Sequence, residues 1–154
     1  MRASRLIAGS LFAASPSAAT SAPDSKPTER VVITDFTVRQ EWSFRGTRIR
    51  AVDFRLTGRN ARGISCTVRD PEFPKPREAA SCRDSKYRFM LYEGTRIDEF
   101  RLHIYHEMGL AVGLQGIGSV PTCCRDGGNG PNDYLCLQTL PTNAIDIDST
   151  PINP

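Results

Sequence analysis

The chain has 154 residues, of which 39% are hydrophobic and 24% charged, and its formal net charge is +3. That length suits one domain, and that composition excludes both a disordered chain and a membrane protein. A net charge this small also argues against nucleic-acid binding, which calls for a net basic face.

Met1 to Arg5 is a short basic start, Leu6 to Ala14 is apolar and uncharged, and Ser15 to Ala22 is small and polar around Pro16. This is the order of a secretory signal. The apolar run is about half of the ~20 residues that cross a bilayer, so no membrane anchor is expected. Cleavage after Ala19 or Ala22 fits the small-residue zone. Residues 1–19 are therefore read as a signal peptide, and the mature protein is expected outside the cell. Without them, eighteen basic residues face seventeen acidic ones. The charge is unevenly placed. Residues 30–101 hold 16 basic and 10 acidic residues, whereas 102–154 hold one basic residue, Arg125, and five acidic ones. Such runs ordinarily form solvated faces.

Residues 20–30 have little to bury and read as a flexible leader. Strand signals follow. Val31-Val32-Ile33 and Phe36-Thr37-Val38 are β-branched or aromatic runs, and Trp42 and Phe44 alternate with polar neighbours before a turn at Gly46. Val52, Phe54 and Leu56 alternate with Asp53, Arg55 and Thr57, the pattern of a strand with one buried and one wet face. A turn at Gly58 to Gly63 leads to the strand Ile64 to Val68. Asp70 to Ala80 contains Pro71, Pro74 and Pro76 and is a loop. Tyr87, Phe89 and Leu91 then alternate with Arg88, Met90 and Tyr92. Phe100, Leu102 and Ile104 alternate with Arg101, His103 and Tyr105; Ile97, Phe100, Ile104 and Met108 also fit a helical face, but the strand-like neighbours favour a strand. Leu110, Val112 and Leu114 predict another strand, followed by a bend at Gly116-Ile117-Gly118. Tyr134 to Leu137 and Ala144 to Ile147 are the last two strand signals. Seven to nine short strands with turns between them predict an all-β domain over residues 31–148, an antiparallel β-barrel or β-sandwich, with a flexible tail at 149–154. Trp42, Phe44, Phe54, Tyr87, Phe89 and Phe100 are expected in its core.

All five cysteines lie beyond the signal and meet an oxidising compartment. Cys124 to Cys136 encloses Asp-Gly, Gly-Gly, Asn-Gly and Gly-Pro steps, a segment with little intrinsic order. A bridge between its ends makes it a defined loop. Cys66 and Cys82 flank the proline-rich loop and form the natural second pair. Cys123 and Cys124 are adjacent, too close to bridge each other, so Cys123 is the extra thiol, either buried or available to link two chains.

Catalytic signals are sparse. His103 and His106, three apart on a strand, point to opposite faces and cannot share a metal, so no metal or cofactor is expected. They are expected as exposed strand histidines. No serine-centred nucleophile elbow or Cys-His-Asn pattern is recognisable, and no enzyme is predicted. Gly127-Gly128-Asn129-Gly130 lacks the Lys-Ser/Thr ending and the helix of a phosphate loop.

The segment Cys124-Arg125-Asp126-Gly127-Gly128-Asn129-Gly130-Pro131-Asn132-Asp133-Tyr134-Leu135-Cys136 resembles the matching loop of the major Alternaria allergen family. These are small secreted fungal proteins that include elicitors of plant defence. Phe54-Arg55-Leu56, Cys66, Ser81-Cys82, Phe89 and the Leu110–Pro121 stretch fall in the family's order, so the resemblance covers residues 31–140. It implies a β-barrel or sandwich with bridges Cys66–Cys82 and Cys124–Cys136, and formation of a homodimer. It also implies binding of small hydrophobic plant compounds or of host defence proteins. The sequence departs from the family in having no cysteine before Cys66, where the allergen carries its dimer link, and in its Ala144–Pro154 end, which is rich in Pro, Asp and Asn. Cys123 is the one candidate to replace that link. The expected function is that of a secreted effector or allergen-like protein that binds a host protein or plant-derived ligand. The alternative is a carrier of small hydrophobic, flavonoid-like molecules.

Overall fold

The computed structural model describes residues 25–151. The signal segment and the first leader residues lie outside that range, as do residues 152–154 of the expected tail. Nine strands follow in order: β1 (Thr28–Ser43), β2 (Gly46–Gly58), β3 (Ala61–Arg69), β4 (Ala80–Ser81), β5 (Tyr87–Glu93), β6 (Glu99–Gly109), β7 (Val112–Asp126), β8 (Asp133–Gln138) and β9 (Asn143–Asp148). All pairings are antiparallel and form one sheet in the order β3-β2-β1-β8-β7-β6-β5-β4, with β9 paired to β1 and β7. The all-β, antiparallel, twice-bridged fold read from the sequence is what the chain adopts.

Strand parity explains the core. On β5 and β6, Tyr87, Phe89, Leu91, Phe100, Leu102, Ile104 and His106 point inward, and the residues between them point out. β1 needs a correction of parity, because Val31 and Ile33 but also Phe36 and Val38 must be buried. A bulge supplies it. Asp35 takes a φ of 54° and the β1–β2 register shifts between Thr34 and Thr37. The extra residue flips the alternation. It also hands β1 from β9, its partner at 28–33, to β8, its partner at 37–41. Gln138 patches the break: its Oε1 accepts from the Phe36 amide at 3.0 Å and its Nε2 donates to the Ile33 carbonyl at 3.3 Å. The runs at 31–33 and 36–38 thus belong to one strand.

The two ends of the sheet do not pair. Among the described residues β3 bonds only to β2, and β4 only to β5. Unpaired strand edges left facing each other need another closure. Three contacts provide it. The Cys66–Cys82 disulfide joins β3 to the residue after β4. Phe54 of β2 meets Phe89 of β5 edge-on at 4.8 Å between ring centroids.

The third contact is a buried carboxylate. Glu29 Oε1 accepts from the Tyr87 hydroxyl at 2.6 Å and from the Arg59 amide at 2.7 Å, and Oε2 lies 2.6 Å from His106 Nδ1. Since an ionised carboxylate only accepts, Nδ1 carries the donated proton. The Tyr87 ring stacks on the His106 ring at 3.9 Å. Gly58 sits against this cluster; a Cβ there would come within 2.6 Å of Glu29 Oε1 and of the Tyr87 hydroxyl oxygen. Residues 28–30, expected as flexible leader, are therefore strand. His106, expected as exposed, is 1% exposed.

Two further expectations are corrected. Trp42 and Phe44 are 44% and 96% exposed and stand at the β1–β2 hairpin end, outside the core that holds Phe54, Tyr87, Phe89 and Phe100. Leu110 is fully exposed at the β6–β7 turn, so the strand begins at Val112.

Two measurements check this closure. Replacing Cys66 and Cys82 together by serine opens a loop of sequence separation 16, and should lower stability in chemical denaturation by roughly 3 kcal/mol in the chain-entropy account. Cys123→Ser should leave the midpoint unchanged. The second concerns pH. Burial by itself would raise the Glu29 carboxyl, but the hydrogen bonds from Tyr87, Arg59 and His106 outweigh it and hold the group below its ordinary 4.5. A depressed carboxylate stabilises fully above 4.5 and loses that contribution as pH falls through its folded value. Burial and the bond to Glu29 push Tyr87 up to about 12. Its contribution is whole below its unfolded value of about 10 and disappears as pH rises from there toward 12. Glu29→Gln should cost on the order of 3 kcal/mol at neutral pH and flatten the acid limb of the stability profile. An unchanged acid limb would contradict the assignment.

Candidate functional site

The outward face of β5, β6 and β7 does not look like a solvated sheet face. Its rows run across three strands: Tyr92, Arg101 and Ser119; then Met90, His103 and Ile117; then Arg88, Tyr105 and Gln115. Alternation alone predicts a wet surface here. Instead His103 is 6% exposed and Met90, Tyr92, Tyr105 and Ile117 are half-buried.

Tyr105, Tyr92 and Gln115 crowd the His103 ring, and the proline loop between β3 and β4 faces them across a cleft. Pro74 and Pro76 form one wall of a cleft of about 820 Å3 whose floor is Tyr92, His103, Tyr105 and Ile117. The Cys66–Cys82 bridge anchors that loop close to its two ends. A volume of this size falls in the range of small-molecule and peptide sites, roughly 300–1,000 Å3.

The hydrogen bonds of the floor are specific. The Tyr105 hydroxyl lies 2.9 Å from His103 Nδ1, and His103 Nε2 lies 3.2 Å from Gln115 Oε1. The consistent assignment is a neutral ring, with Nδ1 accepting and Nε2–H donating. Burial lowers the His103 pKa below its ordinary 6.5, against a smaller opposing effect of Gln115. Burial and then the neighbouring Tyr92 raise that of Tyr105. Both tyrosine hydroxyls reach the Met90 sulfur at 3.4 Å. The His103 ring stacks on Tyr105 at 4.0 Å and lies 6.3 Å from Tyr92. The result is a diagonal stripe of three rings, uncharged at its centre. Lys75, Arg101 and Glu93 line the same cleft, and none has an ion-pair partner among the described residues.

The cysteines named from sequence divide into two roles. Cys66–Cys82 and Cys124–Cys136 are bridged, and Cys123 is an exposed free thiol on β7. Cys124 and Cys136 stand opposite each other on β7 and β8. The loop they close is organised by a residue that its spacing did not flag. Asp133 accepts from Arg39 Nε at 2.9 Å and Nη2 at 2.6 Å, and from the Asn129 amide at 3.0 Å. Arg39 also caps the Gly127 carbonyl at 3.0 Å. The Arg39 hydrogen bond holds the Asp133 carboxyl below its ordinary range.

His106 with Glu29 has the composition of an acid–base pair, but both groups and Tyr87 sit inside the core at 6% exposure or less. Their geometry ties strands together. Among the described residues no three His, Cys, Asp or Glu side chains converge as a metal site.

Comparison with known proteins places this architecture. A family model described as Alternaria alternata allergen 1 matches residues 33–136. The chain is 43% identical over 141 residues to the effector protein PevD1 of Verticillium dahliae, covering 92% of this chain and 85% of that protein. Two crystal structures of the Alternaria alternata allergen Alt a 1 superpose with TM-scores of 0.58 and 0.59 at 20% identity. The first covers 80% of this chain and 96% of the allergen, the second 81% and 92%. At that identity the superposition speaks for the fold.

The state of His103 is directly measurable. Its folded value is depressed, so its ring resonances should titrate with a midpoint below 6.5 in an NMR pH series. A midpoint at or above 6.5 would contradict the burial of the ring.

Proposed function

Because the chain belongs to the Alternaria alternata allergen 1 family, we propose that it is a secreted, effector-like protein that engages a plant host component outside the cell through the outward β5–β7 face. The observation that carries this reading is the half-buried Tyr92–His103–Tyr105 stripe beneath a disulfide-anchored loop. Exposed sheet faces do not ordinarily concentrate tyrosines around an uncharged histidine, whereas binding surfaces are enriched in Tyr and Arg. The likeness to PevD1, an effector over nearly the whole chain, supports the class of role. The reading is of binding rather than catalysis, because the one histidine–carboxylate pair among the described residues serves the core.

A second reading rests on the cleft volume of about 820 Å3. That space suits a small hydrophobic, flavonoid-like molecule, which would make the protein a carrier. Trp42 does not line the cleft, so ligand entry is read from the Tyr92, His103 and Tyr105 resonances.

The experiment is affinity capture from plant apoplastic fluid on immobilised mature protein. Wild type should retain a saturable partner, and Tyr92→Ala with Tyr105→Ala should reduce recovery at least ~10-fold, the loss expected of hot-spot tyrosines. Equal recovery by the double variant would move the binding surface elsewhere. Saturable uptake of a flavonoid with no protein recovered would favour the carrier.

A further inference from the structure

A second cleft adjoins the first. Its volume is about 630 Å3, and it shares Tyr105 and Gln115 with the first while extending to Arg88, Glu107, Leu110 and Val112. We propose that the two clefts form one groove for an extended, proline-rich peptide that carries acidic residues at one end. The inference rests on the β5–β7 face being the binding surface and names the chemistry of what it holds.

Length is the first argument. Along β6 the groove runs from Arg101 to Glu107. Six steps of ~3.3 Å make about 20 Å. That accommodates six or seven residues of a polyproline II helix at ~3.1 Å each. A compact ligand fills only one of the clefts.

Hydrogen bonding is the second. β6 is paired on both sides, to β5 and to β7. Its face has no free backbone groups, so a partner cannot add as a strand. On the sheet floor only side chains can meet the partner, and the polar ones at the first cleft are mostly donors: Lys75, Arg101 and the Tyr92 hydroxyl. The Tyr92 hydroxyl is held only by a sulfur, a weak acceptor. An ordinary extended peptide would bury amide N–H groups against few acceptors. A proline-rich one presents carbonyls and almost no N–H.

Shape and charge complete the match. The Tyr92–His103–Tyr105 stripe gives ring faces and edges for pyrrolidine rings, as aromatic-lined grooves do in proline recognition. Arg101 stands at one end, in the cleft that Lys75 also lines, and Glu93 is the single acid lining it, leaving a net positive charge. At the far end Arg88 is neutralised by Glu107 at 3.1 Å, beside the exposed Leu110 and Val112. An acidic flank therefore belongs beside Arg101.

Fluorescence anisotropy on the mature, bridged protein tests this. The probes are labelled peptides of about eight prolines with two glutamates at one end, the same with two lysines, and a Gly-Ser peptide of equal length with two glutamates. The glutamate-flanked proline peptide should bind saturably and at least ~10-fold tighter than the other two. Tyr105→Ala should weaken it ~10-fold or more, and Phe44→Ser, distant from the groove, should not. Arg101→Glu, a surface change that spares the core, should reverse the flank preference. Equal binding of the proline and Gly-Ser peptides would overturn the proposal, as would an unchanged flank preference in Arg101→Glu. If fluid capture still depends on Tyr105 while the proline peptides are ignored, the peptide class is wrong and the binding face stands. If capture and peptide binding are both insensitive to Tyr105, both fall.

Discussion

The fold depends on closing a sheet whose first and last strands do not pair. β3 and β4 face each other without a hydrogen-bond ladder, so the closure rests on a few strong contacts. One is covalent, the Cys66–Cys82 bridge. Another is ionic and fully inside, the Glu29 carboxylate with its three donors from Tyr87, Arg59 and His106. A buried carboxylate left without donors would be driven neutral or would destabilise the core. Here the donors come from the β2–β3 turn, from β5 and from β6, so satisfying the charge requires those elements to be in place. The charge thereby fixes the closed geometry.

The same bridge shapes the outer surface. It anchors the loop that carries Pro74 and Pro76, and that loop forms one wall of the cleft over Tyr92, His103 and Tyr105. Without that anchor the cleft would lose its second wall. Core closure and the candidate binding face are therefore coupled through one disulfide. The second bridge works differently. It clamps the base of a glycine-rich loop, and the Arg39–Asp133 pair then gives the loop its shape. The abundance of arginine in the first two-thirds of the chain finds its use in such pairs: Arg48 and Arg50 on Asp70, Arg69 on Asp53, Arg88 on Glu107.

Local signals were legible in the sequence. Alternation in Val52 to Thr57 and in Tyr87 to Tyr92 named the buried and outward sides correctly, because each strand's pattern is set by its own residues. The cysteine pairs were legible for a similar reason: each bridge closes a loop with recognisable turn chemistry. What escaped was long-range. Glu29 lay in a polar stretch that reads as leader, and its donors are up to 77 positions away. Arg39 and Asp133 are 94 apart. Asp35 broke the parity of β1 without a glycine to announce the bulge. The histidines read as exposed because the pattern does not specify that Tyr105, Tyr92 and Gln115 crowd one and a distant carboxylate binds the other. Trp42 and Phe44 read as core because the alternation continues to the hairpin end, past the body of the sheet.

The account's central claim is that recognition occurs on the β5–β7 face. Backbone and side-chain NMR shift mapping of the mature protein, titrated with the partner it retains from plant fluid, tests this most directly. The account predicts shifts concentrated at Tyr92, His103, Tyr105 and Gln115, with Trp42, Phe44 and Tyr134 unmoved. Shifts confined to Trp42, Phe44 and Tyr134 would contradict it.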